Sequence, residues 1–430
     1  MESIIILFIL FALLLLRIPI YICLYLTGVL GLWIFTSMDF TFVAQTMLKK
    51  IDNFSLLCIP FFILMGAVMV RGQSATRLVQ FAWKFASWLP GGLGITAVVS
   101  AGVFGAISGS AISTVVTIGG VMFPYMDKYR YPKDFSAGLI TAASILGIIV
   151  PPSIIMIVCA LTAGESVVRL FAAGYLPAMI IMLMLSLYAW WESRRKGLGK
   201  EALEDFDFKG LIIAGKEATF AILIIAVLFG GIYSGAFTIT EASVVSCVMI
   251  LIVEMLIYRA VKLKDLKELL ISSGVVSGAL VITVSGAGVI SEYIILQQIP
   301  QQMLEISMKY IPNASMYLVF TCVVLLIVGT FMDQIGAIMI LVPIMMPIAN
   351  HMGIDPIHYC LLFCVGLGIG YITPPLGLLL YTVQAITRLD FVKVSRAIYS
   401  PLMIYIAALF IIAFVPWLST VVPDLLLGTM

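Results

Sequence analysis

The chain has 430 residues, 62% of them hydrophobic and 11% charged, with a formal net charge of +2. A soluble protein carries about 25% charged residues, so this composition excludes a soluble globular enzyme and places the chain in a membrane. No basic cluster points to nucleic acid, and no polar stretch is long enough to be a separate soluble domain. At roughly 20 apolar residues per crossing, with allowance for loops and half-spans, about ten to fourteen membrane segments are expected.

Residues 3–16 are continuously apolar and end at Arg17-Ile18-Pro19. No basic stretch precedes them and no small-residue cleavage site follows, so they read as a retained membrane helix rather than a leader. A second apolar piece covers 20–35 and a more polar one 39–53. Pro60 falls inside the next span and is expected to kink it. Arg71, Arg77 and Lys84 mark an interfacial segment, with Trp83 and Trp88 as anchors at the membrane surface.

Pro90-Gly91-Gly92 opens an apolar unit that runs to about 123 and carries Gly105-Ala106-Ile107-Ser108-Gly109-Ser110-Ala111 near its middle. As one straight helix it would rise about 45 Å, beyond the roughly 30 Å hydrocarbon core. A hairpin with its tip near Ser108–Ser113 fits better. The basic loop 126–134 leads to an apolar run broken by Gly147-Ile148-Ile149-Val150-Pro151-Pro152-Ser153. Proline brings no N–H and glycine weakens a helix. At membrane depth such a break survives only where protein or a water-filled cavity covers it.

Residues 170–191 form an ordinary span, followed by the most charged segment of the chain, 192–216. Its Lys and Arg excess beside the span assigns it to the cytoplasmic side. Spans at 217–233 and 242–258 are joined through Thr238-Ile239-Thr240-Glu241, where Glu241 reads as a capping residue. A second basic loop, 259–267, precedes a Gly- and Ser-rich stretch at 271–290 suited to close helix packing.

The interrupted pattern then returns. A second hairpin is expected over 315–349, with Gly329-Thr330-Phe331-Met332-Asp333-Gln334 at its middle and Pro343 and Pro347 on its return arm. Gly329 follows Gly105 by 224 positions, and Pro356 follows Pro132 by the same interval. Gly370 and Pro374-Pro375 follow Gly147 and Pro151-Pro152 by 223. Two Gly-to-Pro-Pro breaks at matched spacing make an internal repeat. Interrupted segments in corresponding halves point to a transporter's binding site. A last long span is expected over 398–418.

Broken helices leave carbonyls free at one half-helix end and N–H groups at the other. The first suit a hard cation and the second a carboxylate. Gly105, Ser108, Ser110, Gly147, Val150 and Ser153 are therefore placed around one oxygen cage. Gly329, Asp333, Gly370, Thr373 and Leu376 are placed around another, several acting through backbone carbonyls. The competing reading is that these glycines only permit helix packing. Asp333 is the sharpest residue, because an intramembrane acid is costly and usually functional; the plainer alternative is an acid holding loop amides at a tip. Candidate substrate contacts are Asn53, Ser55, Ser108, Pro152 and Pro375, although Asn53 and Ser55 fit an ordinary surface loop equally well. Arg17 and Arg169 sit close to span ends and read as snorkelling residues, so no intramembrane arginine stands out as the partner of an anion. The seven cysteines read as buried apolar residues, and the two histidines, His351 and His358, flank a loop and fall short of the four ligands that structural zinc needs.

These motifs, with Tyr131-Pro132-Lys133-Asp134-Phe135 and Asn53-Phe54-Ser55-Leu56-Leu57-Cys58-Ile59-Pro60, resemble the large membrane subunit of tripartite ATP-independent periplasmic (TRAP) transporters over essentially the whole chain. Cys58 and Val150 depart from the commoner pattern. The resemblance implies an all-α polytopic elevator-type transporter with two inverted repeats, each supplying a re-entrant hairpin and an unwound helix. On that basis 90–165 and 311–388 form transport elements, and 1–89, 166–310 and 389–430 form scaffold and connecting helices. It also implies sodium as the coupling ion at both cages and no other cofactor. The implied partners are a small four-helix membrane subunit, a periplasmic solute-binding protein and surrounding lipid. The implied setting is the bacterial inner membrane, and the implied cargo an organic acid such as a C4-dicarboxylate or a sialic acid. The rival readings are a stand-alone ion-coupled carboxylate carrier of the same superfamily, a passive channel, and a membrane-embedded enzyme, for which no catalytic constellation is present.

Overall fold

The computed structural model describes residues 2–16, 18–36 and 38–428. Arg17 lies outside them. Helices α1 (Glu2–Leu15) and α2 (Ile20–Phe35) precede an amphipathic α3 (Phe40–Ile51), which Asp39 caps through the Phe42 N–H at 2.8 Å. A short 3-10 turn, Phe54–Leu57, runs into α4 (Cys58–Arg71) and then α5 (Ser74–Ala86). Pro60 does not kink this span. It sits in the first turn of α4, where the missing N–H would have had no helical acceptor.

The first hairpin is α6 (Gly92–Ser108) and α7 (Ala111–Lys128). The first broken helix follows as α8 (Lys133–Ser144), α9 (Leu146–Ile149) and α10 (Ile154–Ala163), with a bend of 44° at the break. Next come α11 (Val167–Lys196), α12 (Phe208–Tyr233), α13 (Ile239–Ile252), the 34-residue α14 (Leu263–Leu296) and α15 (Ile299–Tyr310). The second hairpin is α16 (Ala314–Gly329) and α17 (Gln334–His351), and the second broken helix is α18 (Pro356–Gly370) and α19 (Leu378–Thr387). The expected last span divides at Pro416 into α20 (Phe391–Phe414) and α21 (Trp417–Leu427), because that proline cannot continue the preceding helix.

Among the described residues, seven helices are long and apolar enough to cross a membrane, or nine if each sharply bent pair is one span. That is fewer than the ten to fourteen segments composition suggests, because α2, α6, α18, α19 and α21 are apolar but only 10–17 residues long.

Ion pairs gather the basic loops on one face: Lys84–Glu204 at 2.7 Å, Arg71–Asp265 at 2.9 Å and Arg130–Glu201 at 3.7 Å. Here Glu254, fully buried, accepts from the backbone N–H groups of Gln73 and Ser74 and from the Ser74 hydroxyl, tying the π-helical turn Val253–Ile257 after α13 to the start of α5. The opposite face is joined by the Thr240 hydroxyl donating to the Phe54 carbonyl and by an Arg169–Asp424 pair at 3.6 Å. Arg169 is thus ion-paired rather than merely snorkelling. On the same face Glu241 completes a capping box with Thr238. Gly28 and Gly31 seat α2 on α14; an added Cβ at either would lie 2.8 Å from Ile290 or Tyr293.

The two interrupted units pack reciprocally. Each hairpin's first arm lies on its own broken helix, α6 on α8 and α9, and α16 on α18. The outer halves cross over: α10 packs on α17, and α19 packs on α7. All seven cysteines are free and buried. His358 is also buried, bonded to Ser419 at 2.6 Å, and so joins α18 to α21.

Candidate functional site

At the first tip, Gly109 has φ +58°, a left-handed conformation that glycine adopts without steric cost. Ser110 is extended and its side chain caps α7 by accepting from the Ser113 N–H. The Ser108 hydroxyl lies 3.2 Å from that of Thr114, which donates to the Ser110 carbonyl at 2.8 Å. Gly105 and Gly147 stack so closely that a Cβ on Gly105 would lie 2.6 Å from Gly147 Cα. Gly147 in turn faces the Ser110 carbonyl, and Gly109 faces the carbonyl of Pro152. Val150 ends α9, the Pro151-Pro152 bond is cis, and fully buried Ser153 caps α10. Gly105, Ser108, Ser110, Gly147, Pro152 and Ser153 are therefore brought together around one turn.

The second tip repeats the packing with different chemistry. A Cβ on Gly370 would lie 2.1 Å from the Gly329 carbonyl carbon. Asp333 caps α17 through the Ile335 N–H at 3.1 Å, and its other oxygen accepts from the Tyr371 hydroxyl at 3.0 Å. The Thr373 hydroxyl donates to the Ile369 carbonyl and its own carbonyl accepts from the Gly377 N–H. Pro374-Pro375 is also cis. The two breaks differ in cover: Pro151, Pro152 and Ser153 are buried, whereas Pro375 and Leu376 are exposed.

Both tips converge on one cavity of about 420 Å³. Ser108, Ser110 and Ser113 line it from one tip, and Asp333, Gln334 and Tyr371 from the other. Ile63 and Gly66 of α4 and Val276 and Leu280 of α14 form its apolar wall. Gly66 permits the approach, since a Cβ there would lie 3.3 Å from Ser108 Cα. The oxygens assembled here are hydroxyls, carbonyls and one carboxylate, a donor set for a hard cation such as sodium rather than a soft metal.

Gln334 is fully buried, and neither its amide oxygen nor its nitrogen has a hydrogen-bond partner among the described residues. An unmet buried amide costs about 1–3 kcal/mol, and Gln334 lines the tip cavity, so it is a candidate ligand position. Sequence reasoning placed Gln334 in the tip motif but not in the site, and it missed Tyr371 and Thr114. The available signal was their position beside Asp333, Gly370 and Ser110. Asn53 and Ser55 fall elsewhere. Asn53 lines a separate cavity, and its side chain accepts from the Ser55 N–H at 2.9 Å.

The family model described as "Tripartite ATP-independent periplasmic transporter, DctM component" matches residues 7–418. The C4-dicarboxylate TRAP transporter large permease protein DctM of Rhodobacter capsulatus is 33% identical to this chain, over 99% of it and all of the relative. The sialic acid TRAP transporter large permease protein SiaM of Vibrio cholerae is 30% identical over 91% of each chain. Among solved structures, the YdaH transporter of Alcanivorax borkumensis superimposes with a TM-score of 0.62 over 88% of each chain, at 11% identity, a likeness of fold alone.

Proposed function

Because this chain belongs to the DctM component of the tripartite ATP-independent periplasmic transporters, and so is the large permease subunit of a multi-pass membrane transporter, we propose that it moves a small organic acid, coupled to sodium, through the cavity between its hairpin tips. The observation that carries this reading is the convergence of both tips on one cavity, with the Gln334 amide unmet beside Asp333. Sodium would share the hydroxyl and carbonyl oxygens at each Gly–Gly stack, with Asp333 adding a negative charge to the second site. The half-helix N-termini at Ser110 and Gln334 would receive the carboxylate.

The reciprocal packing of α10 on α17 and α19 on α7 supports two repeats of inverted topology that move as one body against α4 and α14. Lys and Arg are concentrated in segments 71–84, 126–134, 192–216 and 259–267, which supports a cytoplasmic orientation for the face of those basic loops in a bacterial inner membrane. The opposite face would meet a periplasmic binding protein, and a small membrane subunit would complete the complex. Relatives of similar identity are named for a C4-dicarboxylate and for sialic acid, so the class proposed is a small carboxylate.

Uptake into proteoliposomes holding the complete transporter tests the reading. Transport is expected only with an inward sodium gradient and the binding protein present. Asp333→Asn is expected to raise the sodium concentration for half-maximal uptake at least tenfold. Equal uptake without sodium would remove the coupling, and uptake without the binding protein would favour a stand-alone carrier.

A further inference from the structure

A second cavity lies away from the hairpin tips. It measures about 560 Å³ and lies between α3, α14 and α15 on one side and α10 and α17 on the other. That volume suits a small molecule. Lys49 and Lys50, in the last turn of α3, line it, and no Asp or Glu does.

The two lysines differ. The Lys50 ammonium pairs with Glu292 at 3.5 Å, whereas Lys49 has no ion pair or hydrogen bond among the described residues. The stem of Lys50 lies over Gly288, where an added Cβ would come within 2.4 Å of its Cγ. Lysines also suit the C-terminus of a helix dipole, but that does not account for the side-chain space that α14 leaves for Lys50. Asn53 adds a donor, because its carbonyl oxygen is taken by the Ser55 N–H while its amide nitrogen is not engaged.

The opposite wall supplies acceptors. Pro343 and Pro347 have no N–H, so the carbonyls of Met339 and Pro343 lose their α-helical donors. Met339, Pro343, Pro347 and Asn350 all lie on the face of α17 that lines the cavity. Positive charge on α3 thus stands across from polar acceptors on α17.

We propose that this cavity is a second anion site, in which a small organic acid places its carboxylate on Lys49 and the Asn53 amide before it reaches the hairpin tips. Lys50, held by Glu292 and Gly288, adds positive charge beside it. The proposal rests on the reading of the protein as a carboxylate transporter and supplies the cation that the tip cavity lacks. A field from lysines at a cavity mouth concentrates anions and is weakened by salt.

The test is protection of Lys49 from an amine-acetylating reagent, read by peptide mass spectrometry on the full-length complex in lipid nanodiscs. The probes are succinate, N-acetylneuraminate and isethionate at millimolar concentration, with succinamide as the uncharged control. At least one anion is expected to slow Lys49 acetylation threefold or more, with no effect of succinamide and none on Lys309. Lys49→Gln and Gly288→Ala are expected to raise KM for uptake about five- to tenfold with little change in kcat. Protection by the soluble binding protein but by no free anion would overturn the proposal and assign the lysines to protein docking. Sodium-driven uptake without Lys49 protection would overturn the second site and leave the transport reading intact. Protection without uptake would support the site and sink the transport reading instead.

Discussion

Gln334 and Asp333 are adjacent at one tip, yet the structure treats them differently. Asp333 has its oxygens met by the Ile335 N–H and the Tyr371 hydroxyl, so its charge is held in place. Gln334 is buried with both ends of its amide unmet. Replacing an unsatisfied polar group by an apolar one of similar size is neutral or stabilising. Gln334→Met is therefore expected to keep or raise the thermal midpoint by a few degrees while weakening substrate uptake at least tenfold. A thermal scan of the purified protein beside an uptake assay checks both halves. A drop in both would make Gln334 a packing residue. At this scale the sequence disclosed the acid, because a carboxylate between apolar residues is conspicuous. It did not disclose the amide, whose meaning comes only from its missing partners. Lys49 and Lys50 were equally obscure: in the chain they close a polar helix, and only the folded cavity sets them opposite α17.

At the scale of elements, the hairpins and breaks were legible because their cause is local. Gly109 must take a left-handed turn, Ser110 must cap, and Pro-Pro pairs must interrupt a helix. What could not be read was the pairing of glycines from distant elements. Gly105 meets Gly147, and Gly329 meets Gly370, at separations that leave no room for a methyl group. Gly105→Ala is expected to cost about 1–3 kcal/mol through overpacking and to abolish uptake. Gly274→Ala, on an open face of α14 with no atom within 4 Å of an added Cβ, is expected to be tolerated and to gain about 1 kcal/mol or less in helix propensity. Thermal midpoints of the two variants provide the comparison, and equal midpoints would mean that the tip relaxes freely. Pro60 shows the limit of local reading. A proline in an apolar run kinks or starts a helix according to where the helix begins, and the preceding 3-10 turn decides that here.

Over the whole molecule, a moving body of two hairpins and two broken helices would slide past α2, α4 and α14. Gly336 of α17 lies against α2, where its Cβ would come 2.6 Å from the Ile20 methyl. A Gly336→Cys, Ile20→Cys pair on a background without the native cysteines is expected to cross-link on oxidation and arrest uptake, which reductant restores. Continued uptake by the cross-linked form would exclude sliding at that interface.

The sequence by itself determined the solvent, the helical class and the family, and its spacing pointed to an internal repeat, because apolar content, proline and glycine punctuation and their spacing are properties of the chain. Tertiary structure decided the rest. It brought Ser108 and Asp333, more than two hundred positions apart, to one cavity. It sent Asn53 to another, left Gln334 without partners and crossed the outer half-helices between the two units. Those outcomes depend on which surfaces meet and how closely, and the space left between packed helices is specified only when all of them are in place.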